Sequence, residues 1–241
     1  MRFMVMHKVD ARMEAGGPPD PKIIQAMGAL VQESLKSGVF LTGAGLRPSS
    51  QRARLTHAAG HWSESHGPYT GENELLASFA MIRAESLAAS AKHARAFAEA
   101  NGDTEIEVGP VVEAWDLGLI PKPSTQVPQR FLLLSKAGPA FEQGATAQEA
   151  RNAAVAELTR VLGENGAVLA AEVLAPSSKA SRLSTAKDGK RTWVDGPFAE
   201  SKELIAGFSI LELLDKAQAM AWAERYAAIL GDNQVDVREL L

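Results

Sequence analysis

The sequence predicts an α+β fold in which two ferredoxin-like βαββαβ repeats pack sheet to sheet as an intramolecular pseudo-dimer. Two observations carry that expectation. The first is internal repetition: Arg2-Phe-Met-Val-Met-His-Lys8 aligns with Arg130-Phe-Leu-Leu-Leu-Ser-Lys136 at an offset of 128. That offset also carries Gly38 onto Gly166, Pro48-Ser-Ser50 onto Pro176-Ser-Ser178 and Arg54-Leu55 onto Arg182-Leu183. One inserted residue makes it 129, matching Gly67-Pro68 to Gly196-Pro197, Phe79 to Phe208 and Gly102-Asp103 to Gly231-Asp232. A register held across the whole unit with a single step marks a tandem duplication. The second observation is element order. Each copy reads strand, helix, strand, hairpin, strand, helix, strand, which is a split βαβ unit with its helices on one sheet face. The other face is also apolar, and a second copy is the natural cover.

Taken in order, Phe3 to Met6 and Phe131 to Leu134 are short apolar runs suited to buried central strands. A helix follows in each copy. Asp20 is placed to cap the first, with Pro21 at its first position. Ile23, Met27, Leu30, Val31 and Leu35 make its apolar stripe, and Gly38 ends it. In copy two Thr146 is the expected cap, Ala150, Ala154, Leu158, Val161 and Leu162 form the stripe, and Gly166 is the stop. Second strands run from Val39 to Leu46 and from Ala167 to Leu174, each closed by Pro-Ser-Ser. In copy two a hairpin turns at Lys187-Asp-Gly, a strong tight-turn signal; in copy one a softer turn is expected around Ala59-Gly60. Third strands cover Leu75 to Arg83 and Leu204 to Leu213. The second helices carry Leu87, Ala91, Ala94 and Phe97, and Ala219, Trp222, Tyr226, Ile229 and Leu230. Last strands span Glu105 to about Trp115 and Gln234 to Leu240. The layout is therefore a first repeat over 1–116, a linker over 117–128 containing Pro121, Pro123 and Pro128, and a second repeat over 129–241.

Composition narrows the function. The 241 residues are 46% hydrophobic and 22% charged with a net charge of −4, ordinary for a soluble globular protein and unsuited to nucleic acid or an anionic membrane surface. No cysteine is present, so disulfides, thiol catalysis and cysteine-bound metal are excluded. No signal-peptide core or membrane-length apolar run is found, and a cytoplasmic protein is expected.

Chemistry concentrates before the third strands. Copy two has Asp195-Gly-Pro-Phe-Ala-Glu-Ser-Lys-Glu203, leading into Leu204-Ile-Ala-Gly-Phe208; copy one has the worn form His66-Gly-Pro-Tyr-Thr-Gly-Glu-Asn-Glu74. One reading is purely structural: Asp-Gly-Pro makes a turn and the charges form a surface network. The other makes Asp195 or Glu203 a base, with Glu200 beside them and Lys202 holding an anion or tuning a carboxylate. His7 ends the first strand of copy one, where copy two has Ser135, and an imidazole there suits an acid–base couple. His66 sits at the head of the worn motif. His57, His61 and His66 are the one histidine group a metal would use, but no ligand spacing supports a metal site. Gly43-Ala-Gly-Leu lacks the third glycine and helix start of a dinucleotide loop, and no cofactor is expected.

Arg2 to Met6, Gly43-Ala-Gly-Leu-Arg-Pro-Ser-Ser50 and above all Asp195 to Phe208 resemble the DGPF group of YCII-related proteins across nearly the whole of each copy. The resemblance implies a dimeric α+β barrel built from ferredoxin-like units. The wider superfamily includes muconolactone isomerase-like enzymes, and a His–Asp pair is ascribed to a YCII-type dehydrochlorinase of a chlorinated hydroxyquinol. Cofactor-free proton transfer, of isomerase or lyase type, on a small carbonyl or phenolic ligand is therefore expected. Many members are encoded beside extracytoplasmic-function sigma factors, so a non-catalytic regulatory or ligand-binding partner is the alternative, and a pseudoenzyme is a third. The copies have decayed in complementary ways. Copy one keeps Gly43 to Pro48 and copy two keeps the nine-residue motif, so one intact site requires elements combined across the pseudo-twofold. Further homo-oligomerisation is left open.

Overall fold

Strand-spaced apolar runs and helical stripes form the expected strands and long helices in the computed structural model, with two unexpected short helices, at 11–14 and 139–143, added. It describes residues 1–241 apart from Glu72, Asn73, Gln126, Asn165, Lys187, Glu200, Lys202, Glu203, Asp232 and Asn233, and the side chains of 145–147. The N-terminal repeat comprises β1 (Arg2–Lys8), α1 (Ala11–Glu14), α2 (Pro21–Lys36), β2 (Phe40–Gly45), β3 (Ala53–Ala58), β4 (His61–His66), β5 (Leu76–Ala84), α3 (Leu87–Asn101) and β6 (Glu105–Pro110). The C-terminal repeat comprises β7 (Gln129–Lys136), α4 (Pro139–Gln143), α5 (Ala145–Gly163), β8 (Val168–Val173), β9 (Ser181–Thr185), β10 (Arg191–Asp195), β11 (Ile205–Glu212), α6 (Lys216–Leu230) and β12 (Val235–Glu239). No described helix is long and apolar enough to cross a membrane.

Local chemistry accounts for the boundaries. Asp20 caps α2 by accepting from the Lys22 amide, Ser86 caps α3 through Ala89, and Asp215 caps α6 through Gln218. Gly38 takes the left-handed conformation expected of a helix stop. Thr146 is not the cap of α5: that helix starts at Ala145 with Gly144 before it, because α4 leads directly into it. The copy-one turn is tighter than expected, since Ala59 and Gly60 both have positive φ and close a two-residue hairpin loop. The strand expected to reach Trp115 ends at Pro110, where the chain leaves to pair with the end of β2.

The two six-stranded antiparallel sheets are built across the repeats. One has the order β10-β9-β12-β1-β11-β2, the other β4-β3-β6-β7-β5-β8. The run β12-β1-β11-β2 is the ferredoxin-like order, with β1 and β2 drawn from the N-terminal repeat and β11 and β12 from the C-terminal one. Helices follow their strands. Leu30 of α2 and Trp222 and Tyr226 of α6 pack on the first sheet, while α3 and α5 pack on the second.

Between the sheets lies an apolar layer that includes Met4, Met6, Phe79, Leu132, Phe208 and Ile210. Phe79 and Phe208, equivalent positions of the two repeats, meet there with ring centroids 5.5 Å apart. Two seams join the sheets into a barrel. At one, Val112 donates to the Gly45 carbonyl and Arg47 to that of Pro110; at the other, Leu241 donates to Val173 and Ala175 to Glu239. The expected α+β barrel of two packed sheets is thus the architecture, with the exchange of strands added.

Phe79→Ala and Phe208→Ala should each cost about 3–5 kcal/mol in urea unfolding. Because the rings touch, the double variant should lose less than the sum of the single losses.

Candidate functional site

The motif loops are organised by close backbone approach. A Cβ added to Gly67 would lie 2.0 Å from the Ser49 carbonyl oxygen, and one added to Gly196 would lie 1.8 Å from that of Ser177. Only glycine fits. The Gly67-Pro68 and Gly196-Pro197 bonds are both cis. The next residues are tied to the same serines: the Tyr69 amide donates to Ser49 Oγ at 2.9 Å and the Phe198 amide to Ser177 Oγ at 3.1 Å. Ser49 and Ser177 in turn donate through amide and hydroxyl to Glu14 and Glu142. The Pro-Ser-Ser segment and the Gly-Pro loop of each repeat are therefore docked on one another within that repeat.

This arrangement explains where the sequence-predicted residues stand. Asp195 ends β10 on the outside, its side chain 75% exposed, and accepts from Ser181 Oγ and from Lys216 Nζ at 3.3 Å. The Ser181 hydrogen bond, then Lys216, holds its carboxyl below the usual range. His66 occupies the matching place in β4, exposed, with Nε2 3.2 Å from Glu64. His57 pairs with Trp62 and His61 with Ala58, which puts the two imidazoles on opposite faces of the β3–β4 hairpin. His57, His61 and His66 therefore do not converge on one cation. Gly45, in β2, and Asp195, in β10, lie at opposite edges of the first sheet, so the two intact family elements do not line one pocket. Glu200, Lys202 and Glu203 lie outside the described residues.

Buried behind the loops are two related ionic clusters that sequence reasoning missed. In the first sheet, Lys8 Nζ lies 3.1 Å from Asp236 and donates to Ser201 Oγ, while Arg182 grips Asp236 through both oxygens at 2.6 and 2.9 Å. Arg182 also lies 4.2 Å over the Phe198 ring. In the second sheet, Arg54 donates to Glu107 at 2.7 Å and to Glu74 at 3.0 Å, Lys136 meets Glu74, and Arg54 lies 4.4 Å over the Tyr69 ring. Each lysine comes from the opposite repeat to its carboxylates. Burial pushes the Glu107 carboxyl up, but Lys136, Arg52 and Arg54 together hold it at about 2. The sequence signal was there: Lys8/Lys136 and Arg54/Arg182 are charges kept in both copies beside apolar strand positions.

A further guanidinium reaches the same place in each unit from a different position. Arg52 donates to the Arg47 carbonyl and to Glu107, beside Gly109. At the matching positions the C-terminal repeat has Ala180 and Arg238. Arg238 donates to the Ala175 carbonyl, the equivalent of Arg47, and to that of Leu76.

His7 faces the helix layer of the first sheet. Its Nδ1 lies 2.6 Å from the Tyr226 hydroxyl, with the rings edge to face. Burial lowers its pKa to about 4, partly opposed by Asp10 and assisted by Lys8. Burial likewise raises that of Tyr226. Gly207 makes room, since a Cβ there would sit 2.6 Å from His7 Cε1. Tyr226 was expected only as a core residue. His7 and Asp195 do not form a pair, because β9 and β12 stand between β1 and β10.

The family model for the YCII-related domain matches residues 1–114 and again 129–239. No curated protein and no solved structure matches the chain significantly.

Gly196→Ala should destabilise the fold by roughly 3 kcal/mol, read as a lowered urea midpoint, because a backbone carbonyl blocks the methyl group. Acid should act through Glu107. Its folded pKa, about 2, lies below the ordinary 4.5. Its contribution is therefore complete above pH 4.5 and drains away as pH falls toward 2. Urea midpoints should fall across that window, and Glu107→Gln should start lower and fall less steeply.

Proposed function

The chain belongs to the YCII-related family, and on that premise we propose that it binds a small carbonyl-bearing or phenolic compound and shifts a proton on it without a cofactor. The observation that carries the proposal is the buried His7–Tyr226 pair, present in one unit only and replaced by Ser135 and Phe97 at the equivalent positions of the other. A structural requirement of the fold would apply to both units; this pair does not.

An imidazole with a pKa of about 4 is neutral at pH 7. A phenolate or enolate lying against it raises that pKa toward the working pH, since an opposite charge favours the imidazolium. His7 then takes a carbon- or oxygen-bound proton; its return at a neighbouring position is an isomerisation, and departure of a leaving group with its bonding electron pair from the adjacent substrate carbon is an elimination. Tyr226 holds the ring in place from Nδ1 and supports whichever tautomer the step needs. Asp195, solvated and engaged by Ser181 and Lys216, serves in this reading as part of the loop dock.

That same exposure of Asp195, with His7 covered by Tyr226, favours a second reading in which the protein binds a ligand or a regulatory partner and performs no chemistry. The two separate by experiment. Phenolic and keto-acid compounds would be incubated with the protein in deuterated buffer, and exchange of their carbon-bound protons followed by NMR. His7→Gln is expected to slow exchange by about 100-fold or more, the usual contribution of a general base. Asp195→Asn is expected to leave it within about twofold on the same grounds. Compounds that bind without any exchange would sink the proton-transfer reading and leave the binding one.

A further inference from the structure

Each sheet ends on one strand that no other described strand covers, β10 in the first and β4 in the second. The other two edges, β2 and β8, meet the seams of the barrel through Gly45 and Val173. A bare edge offers unpaired amides and carbonyls to another chain, and proteins blunt it with proline, lysine or a bulge. β10, Arg191-Thr-Trp-Val-Asp195, has none of these, and its register against β9 is unbroken. Arg191, Thr192, Val194 and Asp195 are exposed, Val194 by 51%. Trp193 is half-buried, its indole donating to Glu224 at 2.9 Å.

Register decides what such an edge accepts. At the two ends of the β9–β10 hairpin Gly196 donates to Ala180 and Ala186 to Lys190. Antiparallel bonding alternates, so Lys190, Thr192, Val194 and Gly196 turn their polar backbone toward β9. Arg191, Trp193 and Asp195 turn theirs outward. A twofold axis through Trp193 sets that residue against its counterpart in a second molecule, and Arg191 against Asp195 at both ends. Every outward amide and carbonyl is then bonded, and opposite charges face one another. The charges are available: Arg191 makes no ion pair among the described residues, and both contacts of Asp195 fall on Oδ1, leaving Oδ2 for a partner.

β4 lacks this complementarity. Gly67 donates to Arg52 in its hairpin, so its outward residues are Trp62, Glu64 and His66. The same twofold sets Glu64 against Glu64, and like charges directly opposite are destabilising. Pairing β10 with β4 instead brings Asp195 to Trp62 and Arg191 to His66, with no carboxylate facing a cation.

We propose that β10 is a homodimer interface, at which two molecules join edge to edge and their first sheets become one. The contact is a single short strand from each molecule, so the dimer is reversible and forms as concentration rises. It is independent of His7 and of any reaction there.

Sedimentation equilibrium and backbone amide exchange of the full chain test it. The unaltered protein should pass from monomer to dimer with concentration, and the amides of Arg191, Trp193 and Asp195 should become protected as it does. Arg191→Glu and Asp195→Lys should each weaken dimerisation by about tenfold or more, because each sets like charges opposite at both ends. Mixed together, the two variants face opposite charges again and should regain the lost affinity. Should Asp195→Lys not fold, Arg191→Pro takes its place: an edge position tolerates proline where its amide faces solvent, and this variant should abolish the dimer. A chain that stays monomeric at millimolar concentration would overturn the proposal. So would a dimer that neither Arg191 variant weakens, or charge variants whose mixture stays apart.

Discussion

Two sheets, each with helices on only one side, must hide their remaining apolar faces on one another, and the rest of the structure follows from that contact. Phe79 and Phe208 mark its centre, since equivalent residues touch across the pseudo-twofold. The chain reinforces the contact by crossing between sheets within each repeat. β2 lies in one sheet and β3 in the other, and β8 and β9 are divided in the same way. The Pro-Ser-Ser turns at Ser49 and Ser177 are those crossings. The Gly-Pro loops press on the same serines, so the family motif locks each hairpin onto the point where the backbone changes sheets.

Charge specifies the same arrangement. Lys8 and Lys136 each reach carboxylates of the other repeat, and a buried charge without its partner is strongly destabilising. A mispaired strand would bury one of these groups alone, so the clusters set partner and register even where their net stabilisation is small. Arg52 and Arg238 add a related lesson. The shared need is for a guanidinium against the carbonyl of Arg47 or Ala175, and the two copies meet it from different positions, Arg52 just before β3 and Arg238 in β12. Comparison position by position reads this as decay, whereas the geometry has been retained.

The long helices, most strands, the Asp20 cap and the barrel were legible because they depend on periodicity and local turn chemistry: Asp20 at a helix start and Gly38 at its end are local facts, whereas Thr146 is misread as a cap because the short helix α4 before it is not expected. The exchange of strands was not, because β1 has the same apolar pattern whichever β11-like strand it joins. Among candidate site residues, His7 stood out as a lone polar group in an apolar run. Tyr226 did not, because a tyrosine on a helical stripe looks like core until its hydroxyl partner is known. Asp195 is ambiguous in sequence for a related reason. A turn carboxylate and a catalytic one have the same local sequence, and only solvent exposure and the Ser181 contact distinguish them.

The exchanged topology also divides the chain unequally in time. Every strand of the second sheet, from β3 to β8, lies in the continuous stretch 53–173, together with α3 and α5. The first sheet joins β1 and β2, at the start of the chain, to β9 through β12, at its end. On the ribosome the second unit has all its parts while β9 to β12 are still unmade, whereas β1, α2 and β2 must wait, apolar and unpaired, for β11 and β12 to emerge. The N-terminal segment, made first, thus finds its place after the second unit, whose apolar inner face offers it a surface meanwhile.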